Sequence, residues 1–164
     1  MKRTLILVFC AAAALMADSA AGLKWTAPAG WTSKGAAPMR AATYTVGDAE
    51  CVVYFFGQGQ GGGVEANLAR WNGQFSVNGK PAPAKVSKKS VHGLPVTMMD
   101  VAGTYVGAGG PMMAPQPPKA DYRMLAAIVE GPGGSIFIKF TGPAKTVAAN
   151  QTKFDALLNS LNKE

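Results

Sequence analysis

Apolar and polar positions change period several times along this chain, and each change marks an element. Leu23-Lys24-Trp25-Thr26 alternates and predicts a short strand, after which Pro28-Ala29-Gly30-Trp31 turns the chain and sends Trp31 inward. Met39 to Val46 predicts a second strand. Cys51 to Phe56 is apolar without alternation, the pattern of a central strand buried on both faces. Gly57 to Gly63 interrupts regular structure, and beyond it Val64, Leu68, Trp71 and Phe75 fall at i, i+4, i+7 and i+11, one stripe of a helix. Glu65 suits the first turn of that helix, where the backbone dipole is positive.

Asn78 to Pro83 predicts a turn and linker, followed by strands at Ala84 to Val91 and Leu94 to Val106 around Gly93. Thr97, Met99, Val101 and Tyr105 share one face of the second of these. Gly107 to Lys119 holds three Gly and four Pro in 13 residues, so it predicts a long irregular hairpin loop displaying Met112 and Met113 beside Pro115 and Pro117. Asp121 to Glu130 and Ser135 to Thr141 flank Gly131-Pro132-Gly133-Gly134 and predict a hairpin. After Gly142-Pro143, a second helical stripe runs through Val147, Phe154, Leu157, Leu158 and Leu161.

This order predicts an α+β domain: a mostly antiparallel sheet of six to seven strands with two helices packed on it. The short opening strand, the PAGW turn at Pro28 to Trp31, the helix after the third strand and the closing FDALLNSL segment at Phe154 to Leu161 together resemble the PsbP-like fold family. The chain is also similar to small exported bacterial proteins. The resemblance implies accessory or binding work without catalysis, and it carries over no binding residue. The Gly57 to Gly63 run departs from the family pattern.

The first 21 residues read as a secretory signal. Lys2 and Arg3 precede an apolar stretch of 12 residues from Leu5 to Met16, and Ser19-Ala20-Ala21 offers a small-residue cleavage site. That stretch is shorter than the roughly 17 to 25 residues that span a bilayer. Residues 22–164 are therefore expected as one exported domain, in a periplasm or outside the cell, with Cys51 as its only thiol and no transmembrane segment. Hydrophobic residues are 48% of the chain and charged ones 15%, which supplies a core and excludes disorder. The net charge of +7 favours anionic partners. Its densest cluster, Lys80, Lys85, Lys88 and Lys89, lacks the Arg forks and aromatic platforms of nucleic-acid readers, so it predicts an edge strand protected by lysine. An envelope or extracellular protein, or an anionic surface, remains the expected partner.

Several constellations invite chemistry. Gly57-Gln58-Gly59-Gln60-Gly61-Gly62 matches GxGxxG between a strand and a helix, and Gly59, Gly61, Gly62 and Gly63 could turn N–H groups toward an anion. No parallel crossover follows and no acid stands about 20 residues on, which argues against a dinucleotide, and no Lys-Ser/Thr pair follows for a P-loop. Met98, Met99, Met112 and Met113, with Met39, Met124 and His92, offer soft ligands for copper, yet neighbours in a strand face opposite ways and only the loop pair could converge. Ser90, His92 and Asp100 allow a hydrolytic triad on paper, without a nucleophile-elbow motif. Asp48 and Glu50 form a loop pair. Cys51 follows an acid and opens a buried strand, which makes it inert. The expected function is accordingly a binding domain without catalysis, cofactor or metal, acting through Met112, Met113, Pro115 and Pro117.

Overall fold

The computed structural model describes residues 17–107 and 117–164. In chain order the elements are β1 (Ala17–Ala20), β2 (Leu23–Thr26), β3 (Thr32–Ser33), β4 (Arg40–Val46), β5 (Ala49–Tyr54), α1 (Val64–Asn72), β6 (Phe75–Val77), β7 (Lys80–Pro81), β8 (Ala84–Val91), β9 (Leu94–Tyr105), β10 (Lys119–Gly131), β11 (Gly134–Pro143), α2 (Ala144–Ala149), α3 (Gln151–Ser160) and β12 (Asn162–Lys163). Among the described residues no helix is long and apolar enough to cross a membrane.

The α+β class and the antiparallel pairing are as the sequence predicts, but the sheet is larger. Nine strands run in the order β3-β4-β5-β11-β10-β9-β6-β7, with β8 also on β9, and a separate sheet has the order β1-β2-β12. The additional strands are mostly two or three residues long, too short for alternation to reveal. Asn78 and Gly79, with φ of 51° and 72°, make the two-residue turn that folds β6 onto β7. Phe75, which the stripe assigns to the helix, therefore belongs to β6 opposite Tyr105. The second stripe is two helices, because the chain breaks at Asn150, where φ is −112° and ψ is 8°.

Every central strand buries both faces, and adjacent residues serve different cores. Ala42, Val53, Ile138, Ala127 and Met98 are in register across four strand pairings. They face Phe154, Leu157 and Leu158 of α3, with Trp25 and Trp31 closing the same core. One residue along, Thr43, Val52, Lys139, Ala126 and Met99 form the matching row on the opposite face. There Leu68 and Trp71 of α1 pack on Met99, Met124 and Phe137. Trp31 is buried as expected, lies 4.7 Å from Phe140 between ring centroids, and donates from Nε1 to Asn150 at 3.2 Å. β8 pairs with β9 alone and exposes Lys85 and Lys88, so the lysine-bearing edge is where the sequence puts it.

The expected boundary after Ala21 falls inside a hairpin, since β1 pairs with β2 along its whole length. Residues 1–16 lie outside the described residues.

Candidate functional site

The site begins with a lysine in an apolar strand. β11 alternates Ile136, Ile138 and Phe140 toward the α3 core, which leaves Phe137 and Lys139 on the α1 side. Lys139 stands between Val52 and Ala126, mid-sheet. α1 covers only part of this face, and at its border a recess of about 160 Å³ opens between helix and sheet. Phe137 and Lys139 form its floor, Asn67, Arg70 and Trp71 its helical wall, and Tyr54 with Phe56 its far side.

Aromatic rings line the recess in mutual contact. Trp71 meets Phe137 edge-on at 6.4 Å, Phe56 lies 5.6 Å from Phe137, and Tyr54 stacks on Phe56 at 5.8 Å. Lys139 Nζ lies 5.9 Å from the Trp71 ring centroid and donates to Gln74 Oε1 at 2.9 Å. Burial and, to a lesser degree, the Arg70 guanidinium together push the Lys139 ammonium down to about 8. Arg70 is oriented by a donation to Asn67 Oδ1. Asn67, fully buried, spends its Nδ2 on the carbonyls of Gly61 at 2.8 Å and Gly63 at 2.9 Å. Among the described residues neither Lys139 nor Arg70 meets a carboxylate. The contrast lies on the other side of the sheet, where Arg123 clasps both oxygens of Asp100 at 2.9 and 2.7 Å.

The glycine run has a structural part in this recess. Gly61 has φ of 93°, and a Cβ there would sit 2.5 Å from Phe137 Cε2, so only glycine lets the loop pack on the floor. Gly59 and Gly62 also have positive φ, and Gly63 is the N-cap residue without a side-chain cap. The carbonyls of Gly61 and Gly63 turn inward to Asn67.

Met112, Met113 and Pro115 lie outside the described residues, and Pro117 is exposed. The loop that carries them leaves the sheet beside the recess, because the N–H of Val106 donates to the carbonyl of Gln74 at 2.9 Å. Met98 and Met99 face different cores, Met124 is fully buried and Met39 is 64% exposed, so these four do not converge.

The residues drawn as a triad do not come together. His92 is in the β8–β9 turn with φ of 47°, not on the strand face of Ser90, and its Nδ1 lies 2.7 Å from the Leu161 carbonyl. Asp100 pairs in register with Lys85, five residues from Ser90, or roughly 17 Å at the usual strand rise. Asp48 accepts from Thr146 Oγ1 at 2.7 Å, and Glu50 meets Arg40 at 3.3 Å. Cys51 is buried, and that burial, with the charge of Glu50, raises its thiol far above the usual range.

Lys139 and Arg70 were not singled out by sequence reasoning. The available signal was a single cation inside the apolar run Ile136 to Phe140, where a central strand offers it little solvent.

With this geometry in hand, the solution structure of cyanobacterial PsbP (CyanoP) from Synechocystis sp. PCC 6803 superposes with a TM-score of 0.57 at 16% identity, covering 97% of this chain and 98% of that one. The fold is PsbP-like. A Pseudomonas aeruginosa protein, PA94, aligns at a TM-score of 0.48 and 10% identity, covering 92% of this chain and 97% of its own. No protein-family model matches the chain, and no curated protein sequence does. The PsbP-like fold accounts for the layers of the domain, and the cationic recess is a property of this chain's own residues.

Proposed function

We propose that the chain is an exported accessory domain that binds a protein partner and catalyses nothing, and that the α1 recess is where it holds the partner. The observation that carries this reading is the convergence of Lys139 and Arg70 on an aromatic-walled recess without a carboxylate to neutralise them. A half-buried cation without a countercharge costs stability, and an incoming anion relieves that cost at the moment of binding. The volume is close to the roughly 150 Å³ that admits a benzene ring, so the recess takes one acidic side chain or a chain-terminal carboxylate with its apolar stem. The loop bearing Met112, Met113, Pro115 and Pro117 begins after Val106, whose N–H bonds the Gln74 carbonyl, and in this reading its apolar residues are a second contact for the partner.

The test is zero-length carbodiimide coupling of the protein to its neighbours in native extracts, which joins an amine to a carboxylate already in contact. Mass spectrometry is expected to map the joined peptide to Lys139. Deleting Met112 to Pro118 is expected to leave folding nearly intact and to weaken the coupling. Equal coupling in Lys139→Met and in the wild type would remove the recess from the site, and turnover lost on His92→Ala in a hydrolase screen would overturn the non-catalytic reading.

A further inference from the structure

The first described residues pack as part of the domain. β1 and β2 pair at four register positions, from Ala17 with Thr26 to Ala20 with Leu23. Between them Ala21 and Gly22, with φ of 57° and 70°, form a two-residue turn of the type that matches strand twist. Tyr44, whose ring is wholly buried, accepts the Trp25 indole N–H at 2.8 Å and donates its hydroxyl proton to Asp18. The Ala21 carbonyl accepts the Gly133 N–H at 2.9 Å, and the Gly22 carbonyl accepts that of Glu164 at 3.1 Å.

We infer that removal of the leader leaves Asp18 in the mature chain, the cut falling between Ala17 and Asp18 rather than after Ala21. This rests on the export reading and adds to it the first residue of the mature domain. A leader peptidase needs a small residue before the scissile bond and favours a second at the third-last position of the leader: Ala21 with Ser19 meets both, whereas Ala17 meets the first and has Leu15 at the other. The packing discriminates between them. A cut after Ala21 discards β1, strips the acceptors from the Tyr44 hydroxyl and the Gly133 N–H, and bares the edge of β2. A cut after Ala17 discards one exposed residue of β1 and keeps all of those contacts. Asp18 and Tyr44 are 26 residues apart and meet only in the folded domain, a complementarity without use in a peptide that is thrown away. The reaction is hydrolysis of one peptide bond: a water adds, Ala17 takes the new carboxylate and Asp18 the new amine.

The experiment expresses the full chain, Met1 to Glu164, in a bacterium and reads the exported product by intact mass and N-terminal sequencing. Two variants separate the sites. Ala21→Asn places at the left-handed turn position a residue that the turn favours, so folding is kept while the small residue for a cut there is lost. Ala17→Gln does the same to the inferred site on an exposed strand position. The expected result is a start at Asp18 in the wild type and in Ala21→Asn, with processing of Ala17→Gln slowed at least tenfold. A start at Ser19 or later overturns the inference, as does Ala21→Asn accumulating uncut while Ala17→Gln is processed normally. A start at Gly22 leaves export standing, whereas chains that keep Met1 throughout overturn the inference and the export reading together.

Discussion

Lys139 donates a 2.9 Å hydrogen bond from Nζ to Oε1 of Gln74, joining the middle of the sheet to the residue that follows α1 and its Gly73 cap. Gln74 is itself pinned, with its N–H on the Trp71 carbonyl at 3.1 Å and its carbonyl on the Val106 N–H at 2.9 Å. The amide therefore fixes where the ammonium sits. A cation in a central strand, facing aromatic rings and a second cation, contradicts every local rule for a stable sheet, and such contradictions concentrate where proteins work.

The Lys139→Met variant isolates the cost of the half-buried cation. In the folded chain Lys139 loses its proton near pH 8, and in the unfolded chain near 10.5. Between those values the unfolded state binds more protons, so this group makes the folded state more stable as pH rises. Denaturant melts of both proteins should show the wild type gaining on Lys139→Met across that window, with a slope below about 1.4 kcal/mol per pH unit, the one-proton maximum. A difference constant from pH 7 to 11 contradicts the assignment. Capture of the anionic partner should weaken in the wild type as pH rises through 8, when the ammonium is lost.

Tyr44→Phe removes one oxygen and leaves the Trp25 indole N–H and the Asp18 carboxylate without their shared partner. The expected loss is about 1–3 kcal/mol in urea melts. A variant as stable as the wild type shows that water replaces the hydroxyl in solution.

Trp71 and Leu158 anchor opposite cores, at 3% and 0% exposure. Trp71→Ala should cost about 3–5 kcal/mol and Leu158→Ala about 2–5 kcal/mol. The two lie on opposite faces of the sheet, so the double variant should lose close to the sum of the single losses. Strong non-additivity in the melts would mean that the faces are coupled.

Gly61→Ala and Gly59→Ala separate packing from backbone strain. Both positions have positive φ, but a Cβ at residue 59 meets nothing within 4 Å, whereas at residue 61 it meets Phe137 at 2.5 Å. Gly59→Ala should cost about 1–2 kcal/mol from the left-handed backbone alone. Gly61→Ala should cost about 1–3 kcal/mol more, because the floor of the recess must move. Equal costs in thermal melts would free the loop from Phe137.

Read along the chain, periodicity alone was enough for the longer elements. Most of the twelve residues of β9 alternate visibly, and the apolar block at Cys51 to Tyr54 shows burial on both faces because a central strand has no solvent side. Strands β6 and β7 escaped because three and two residues hold no period, although Asn78-Gly79 is the strongest short hairpin signal in the segment. The break at Asn150 escaped because the stripe of Val147, Phe154 and Leu158 continues across it while the backbone does not.

The sequence by itself determined the α+β class, the strand faces and the inert setting of Cys51, because these follow from the order of neighbours along the chain. Only the tertiary structure decided that Lys139, Arg70, Gln74 and Trp71 share one recess and that Asp18 meets Tyr44. The Lys139–Gln74 bond joins residues 65 positions apart and the Asp18–Tyr44 bond 26, and which of them touch is set by strand order and register, which a linear pattern does not encode.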